Sequence, residues 1–436
     1  MCTALVAGNM IGSGIFLLPA SLAPFGALSI LAWVLTAFGS IALALVFASL
    51  GRRLPRAGGP YAYTRAGFGD LAGFLVGWGY WISTLATNAA ISVALVSYLT
   101  TFWPALSEDR ILAAGLALGI IWLLTGVNCL GVRTSGHVQL VSTALKVVPL
   151  VLVAIVGLLY FDPENLRPLA DHAARPVSAT TTAVALTLWA FLGLESATIP
   201  AGDVVEPKRT IPRATVLGTS LVAILYVAST VAVMGMMAPE RLAASDAPFA
   251  DAARQIAGGW AGYGIAAGAV ISCFGALNGW ILVQGQVPMA LAQDGLFPAV
   301  FGRVGRHGTP AAGMVISSLL VTVLMAMNYT RTLNALFTFV ILLATLACLV
   351  AYVFSTMAEL VLLRGGARGA RRRRAAPAVI AVLAFLYSMW AVAGAGVEAV
   401  YWGFLLLLAG IPVHVWMRTR QAPRADTSEP GPLASG

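Results

Sequence analysis

Three apolar stretches of the chain hold residues that hydrocarbon tolerates only with a reason. The first is Gly8-Asn9-Met10-Ile11-Gly12-Ser13-Gly14-Ile15-Phe16. Two glycines two residues apart weaken a helix by roughly 1 kcal/mol each relative to alanine. In lipid, every loosened backbone group costs several kcal/mol more. A break at bilayer depth persists where it lines a cavity or grips a ligand, and small residues let that ligand approach the backbone. A split helix whose freed amides bind an anionic group is therefore expected here; the competing reading is a small-residue helix-packing face. The second stretch, Thr187 to Pro200, contains Gly193 and the carboxylate Glu195. A charge at the bilayer centre costs at least ~2.5–3.5 kcal/mol, so Glu195 is expected to be functional or paired, against the plainer reading of a protonated, hydrogen-bonded packing residue. The third is Val141 to Pro149, with Lys146 in its middle. A buried ammonium is a candidate proton carrier; the alternative is a permanent charge that bridges helices.

The elements that must position these groups follow from composition. The chain is 59% hydrophobic and 10% charged, with a mean hydropathy of +0.88. Soluble domains carry roughly 25% charge, so this is an integral membrane protein. Apolar spans fall at 1–24, 28–50, 70–103, 110–130, 136–160, 178–200, 213–238, 258–288, 310–328, 333–363, 376–396 and 398–417, about twelve crossings of ~20 residues. Residues 1–24 show neither a short apolar core nor a cleavage site, so they are not a signal peptide. The chain begins almost inside its first span, so the usual polar N-terminal arm is either absent or lies outside this sequence. Cys2, Cys129, Cys273 and Cys348 lie in or beside spans with no metal-ligand spacing, and read as small core residues without a disulfide framework.

Charge placement sets orientation. Nineteen of the 26 Lys/Arg fall in loops after even-numbered spans or in the tail, six in loops after odd-numbered ones, and Lys146 within a span. The positive-inside rule puts both termini in the cytoplasm. The run Arg371 to Arg374 lies between two spans, so it is read as a topology anchor and anionic-lipid contact rather than a nucleic-acid patch. Residues 421–436, rich in Pro, Ser, Ala and Gly, are expected to form a disordered cytoplasmic tail. Pro248 to Ile256 and Leu296 to Val304 look amphipathic, suited to the interface plane or to gating an entrance.

The two interrupted spans are the first and the sixth. That offset of five is expected of an inverted 5+5 repeat whose leading helices are both discontinuous. The predicted fold is all-α, with twelve transmembrane helices: one repeat over 1–160, its inverted partner over 178–363, and accessory helices eleven and twelve over 376–417.

With these motifs in hand, the chain resembles the amino acid–polyamine–organocation superfamily of transporters, and within it the bacterial arginine/agmatine and putrescine/ornithine antiporters. The similarity runs from Ala7 to about Trp416. It is carried by Asn9 to Pro19 in the first helix, Pro55 to Gly69 with Gly58-Gly59-Pro60-Tyr61-Ala62-Tyr63, Leu188 to Ala197, Asp203 to Arg209, and Asp294-Gly295-Leu296-Phe297-Pro298. The resemblance implies that a substrate α-carboxylate sits on the amides of Ser13 and Gly14 and the Ser13 hydroxyl, within the unwound Ile11-Gly12 segment. A helix N-terminus favours an anion there. The α-ammonium would meet the carbonyls of Met10, Trp189 and Leu192. Trp280 and Asn88 match the residues that select the side chain; a tryptophan face attracts a cation by ~0.5–2 kcal/mol. Tyr80 resembles the gating tyrosine and Glu195 the carboxylate linked to pH response. Two departures stand out. Ala344 replaces a serine that helps hold a guanidinium, and Lys146 is typical of other branches, where its ammonium takes the place of sodium.

The expectation is a sodium-independent exchanger in the bacterial inner membrane, working by alternating access on arginine, another basic amino acid or its amine product. The alternative is a proton-coupled or exchange carrier of small neutral amino acids, favoured by the positive charge of Lys146. A channel would need a continuous polar pore. An enzyme would need paired carboxylates, a His/Cys cluster or an activated nucleophile, and Ser13 has no base nearby in sequence. No cofactor, metal or nucleic-acid partner is expected. The partners are the small-molecule substrate and a bilayer with anionic lipids on its cytoplasmic face, and a homodimer, known among the resembling transporters, is compatible with the chain.

Overall fold

The computed structural model describes residues 2–56, 58–130, 146–169, 175–199, 204, 206–305, 308–328, 331–364 and 371–421. The proposed disordered tail beyond 421, Pro200 to Asp203, and Val141 to Leu145 ahead of Lys146 lie outside the described residues, as do the side chains of Arg371 to Arg374. Among the described residues the secondary structure is entirely helical.

The first span is two nine-residue helices, α1 (Cys2–Met10) and α2 (Gly14–Leu22). Each is about 14 Å long, so neither crosses a ~30 Å hydrocarbon layer alone. Then come α3 (Ala27–Arg53), α4 (Pro60–Phe68), α5 (Asp70–Leu99) and α6 (Arg110–Cys129), followed by the shorter α7 (Lys146–Tyr160). The sixth span starts as α8 (Pro176–Trp189) and gives way to turns over 190–195 and a single 3-10 turn at Ser196–Thr198. After it follow α9 (Pro207–Met236), α10 (Pro248–Ala257), α11 (Gly259–Gln293), α12 (Ala311–Ala326), α13 (Leu333–Arg364), α14 (Arg371–Gly394), α15 (Val397–Leu408) and α16 (Gly410–Gln421).

Eight helices, counting α15 and α16 as one, are long and apolar enough to cross a membrane. The sequence-derived spans agree with them to within a few residues. Burial separates the interior from the lipid face: 94% of the apolar window of α5 is buried, against 22% for α14 and 11% for α15–α16. Helices α11 and α13 pack on α5, while α9 packs on α3 and α1. The broken helices are thereby held inside a wall of unbroken ones. Gly26, with φ +54°, turns the chain from α2 into α3, and a β-carbon there would collide with the Leu166 carbonyl.

One expectation needs correcting. Pro248 to Ala257 is the amphipathic helix anticipated, but Leu296 to Val304 forms only turns among its described residues. Phe297 and Phe301 point inward, packed on Trp81 at ring distances of 5.4 and 5.6 Å. Aromatic burial therefore outweighs helix formation there, although Val300 and Val304 stay exposed.

Candidate functional site

At the first break Ile11 still donates to Ala7, after which regular pairing stops. The carbonyls released at the end of α1 are taken by neighbours. The Met10 oxygen accepts the Tyr226 hydroxyl at 2.5 Å and the Gly12 amide at 2.8 Å. Asn9 O accepts the Trp280 indole at 3.3 Å, and Ile11 O accepts Ser272 Oγ at 3.5 Å. The start of α2 is treated differently. Among the described residues the amides of Ser13 and Gly14 have no acceptor. Ser13 is the N-cap of α2, yet its hydroxyl makes no capping bond and is buried without a partner. Unpaired amides, a free hydroxyl and the positive end of a helix converge on one point, which is the chemistry of an anion site.

That point borders a tightly closed cavity of only about 10 Å³, lined by Met10, Ser13, Gly14, Thr87, Trp189 and Trp280 among others. Trp189 Nε1 and Thr87 Oγ1 are also buried without partners. The glycines are required by close approach. A β-carbon on Gly14 would lie 3.0 Å from Trp189 Cδ1, and one on Gly193, whose φ is +104°, would lie 3.2 Å from Asn9 Cβ. The two breaks interlock. Aromatic clusters pack around the elements that carry the cavity. Phe16 packs on Phe249 at 5.5 Å and on Tyr98 at 5.7 Å, while Phe47 packs on Tyr352 at 5.5 Å toward the arginine-rich end.

At the second break the fully buried Glu195 accepts three donors. Tyr80 reaches Oε1 at 2.5 Å, Tyr352 reaches Oε2 at 2.6 Å, and the Gly193 amide reaches Oε2 at 3.3 Å. No ion pair to Glu195 occurs among the described residues, so hydrogen bonds offset its desolvation, each worth about 0.5–1.5 kcal/mol net and more to a charged group. Lys146, equally buried, donates to Gly8 O at 3.0 Å, one residue before the cavity wall.

The loops close the arginine-rich end. Gly58 donates to Ile199 O at 3.2 Å, and a β-carbon on Gly59, φ +48°, would meet Thr198 Oγ1 at 2.7 Å. Tyr61 donates to Asp294 at 2.7 Å, and Arg65 pairs with Asp294 at 2.7 Å and Asp70 at 2.8 Å. Burial first, and the Asp294 carboxylate second, push the Tyr61 phenol above its ordinary value. The bond to Asp70 raises the Arg65 guanidinium further. Both groups therefore keep their protons at neutral pH, and the clasp stays formed.

The amino acid permease family matches residues 2–416. The chain is 40% identical over 335 residues to the cadaverine/lysine antiporter of Escherichia coli (strain K12), covering 74% of this chain and 73% of that protein. It is 34% identical over 414 residues to the putrescine transporter PotE of the same organism, covering 94% and 93%. To PotE of Haemophilus influenzae it is 32% identical over 409 residues, covering 94% of each. The chain belongs to the amino acid permease family. It is a multi-pass membrane protein, and its relatives are transporters of the antiporter branch.

In this permease Met10, Gly12, Ser13, Gly14, Trp189, Leu192 and Trp280 all line the cavity. Asn88 stands beside it: its amide donates to Gln284 at 2.7 Å, while Thr87 and Ile91 of the same helix form the wall. Ala344 is fully buried, and its carbonyl accepts Ser83. The sequence reading missed Tyr352 and Tyr226. Both are tyrosines inside apolar spans, where a buried hydroxyl needs an acceptor, but nothing local in the sequence says which one.

Proposed function

We propose that this permease exchanges a basic amino acid for its amine product by alternating access, across a bacterial inner membrane and without sodium. One observation carries the reading: the break at Ile11–Ser13 leaves the Ser13 and Gly14 amides and the Ser13 hydroxyl unpaired beside two tryptophans. The amides suit the α-carboxylate. The Leu192 carbonyl, which has no partner among the described residues, suits the α-ammonium. The Met10 oxygen already accepts two bonds and would serve only after rearrangement, while the Trp189 oxygen accepts only the Leu192 amide among the described residues and keeps a second lone pair. Trp280 offers its face to the distal cation. The relatives, named for cadaverine, lysine and putrescine, support a linear ammonium over a guanidinium at that end, as does the replacement of a serine by Ala344.

The broken pairs α1/α2 and α8/190–198 are the matched members of a proposed inverted repeat over 1–160 and 178–363, with accessory helices over 376–417. Counting each broken span once gives twelve crossings, with both termini on the cytoplasmic, arginine-rich side. Lys146 supplies the fixed or transferable charge that replaces sodium, and Tyr80 and Glu195 couple the cavity to pH. Lys146 also favours a second reading, exchange of small neutral amino acids, because its ammonium lies one residue from the cavity wall.

Proteoliposomes loaded with cadaverine, putrescine, agmatine or alanine separate the two. External labelled lysine, ornithine or arginine is expected to enter only against an internal amine or basic amino acid. Uptake driven by alanine alone would select the neutral reading, and no exchange with any of them would remove both.

A further inference from the structure

A second buried carboxylate lies far from the cavity and has no part in the exchange proposed above. Helices α3, α9, α13 and α14 enclose a groove of about 520 Å³ with apolar walls that include Val216, Leu217 and Ile380. Glu359 lines it with its side chain only 1% exposed. Its Oε1 accepts Ser49 Oγ at 2.7 Å, with Arg53 Nε 3.6 Å away, while its Oε2 is buried with no partner. An unpaired carboxylate oxygen away from water is a costly arrangement. Arg52 and Arg213 line the same groove and are exposed. The four helices are each long and apolar enough to cross a membrane, so the groove opens among lipid tails near the headgroups of the arginine-rich side.

The occupant must meet three demands at once. It needs an N–H-bearing cation for Oε2, an anion for Arg52 and Arg213, and apolar chains for the walls. A purely anionic lipid brings no cation to Glu359 Oε2, and a choline headgroup has no N–H to donate. A soluble diamine leaves the walls bare and is repelled by the arginines. We propose that this groove binds a glycerophospholipid with a primary-amine headgroup, its phosphate on Arg52 and Arg213 and its ammonium on the free oxygen of Glu359. The site stands independently of which substrate is exchanged.

The test is the melting temperature of the purified full chain in micelles. These are doped with phosphatidylethanolamine, phosphatidylcholine or phosphatidylglycerol of identical acyl chains, or with cadaverine alone. Phosphatidylethanolamine is expected to raise the melting temperature above the other two lipids by about 3 °C or more. Glu359→Gln should erase that advantage while leaving the response to phosphatidylglycerol intact. Leu217→Trp, at a lipid-exposed position, fills the groove without touching Glu359 and should erase it too, which keeps the test open if the first variant fails to fold. The proposal is overturned if phosphatidylcholine or phosphatidylglycerol stabilises as well as phosphatidylethanolamine. It also fails if either folded variant keeps the advantage, or if cadaverine reproduces it in a Glu359-dependent way.

Discussion

The two breaks in the membrane interior solve one problem in opposite ways. At the second, nearly every amide released by unwinding finds an acceptor close at hand. Ala190 donates to Thr187, Phe191 to Leu188, Leu192 to Trp189, Leu194 to Phe191, and Gly193 to the Glu195 side chain. At the first, the carbonyls are taken by Tyr226, Trp280 and Ser272, but the amides of Ser13 and Gly14 are not. A buried donor left open costs more than a bond made is worth. The first break thus leaves donors open to an anion. The second satisfies its amides locally, leaves the Leu192 carbonyl open among the described residues and holds its buried carboxylate, Glu195, with two tyrosines. The comparison separates binding from control: the first break should set affinity, and the second should set the response to pH.

The largest effect is expected from closing the receptor. Gly14→Val drives its side chain into Trp189, whose ring would lie only 3.0 Å from the new β-carbon. Exchange in proteoliposomes should fall to background while the protein still reaches the membrane; retained exchange would mean that the open amides are not where substrate binds. A smaller and more selective loss is expected of Trp280→Ala, about 2–30-fold for a cationic substrate by the strength of a cation–π contact. A neutral amino acid should lose little, and equal losses measured for lysine and alanine would discard that assignment. The smallest effect on rate falls at the second break. Glu195→Gln keeps the shape but not the charge, so exchange measured from pH 5 to 8 should lose its pH dependence with at most a few-fold change at its optimum. Tyr352→Phe, which removes one of the three donors, should move the midpoint of that profile without flattening it. A Glu195→Gln profile that overlays the wild type would take control away from the second break.

Much of this was legible in the residues themselves. Gly12, Gly14, Gly193 and Glu195 announce broken helices because hydrocarbon penalises loosened backbone and charge so heavily that they stand out against apolar neighbours. Lys146 was marked by the same contrast, whereas Trp280 stood out only through the family resemblance. Tyr352 and Tyr226 were not, because a tyrosine is common enough in a span that only its acceptor reveals its purpose, and those acceptors lie 157 and 216 residues away in the chain. Asn88 shows a mixed case: Gln284, 196 residues on, takes its amide N–H, while its Oδ1 is buried without a partner among the described residues.

Local chemistry by itself determined that the chain crosses a membrane repeatedly, where its helices fail, and which residues are too polar to be there without purpose. Solvation sets those facts, and solvation acts residue by residue. Tertiary structure alone decided which broken end stays unpaired, which tyrosines hold Glu195, and that Leu296 to Val304 turns inward on its phenylalanines. Each of those depends on a partner brought near by packing, and pairing across hundreds of residues leaves no trace in local periodicity.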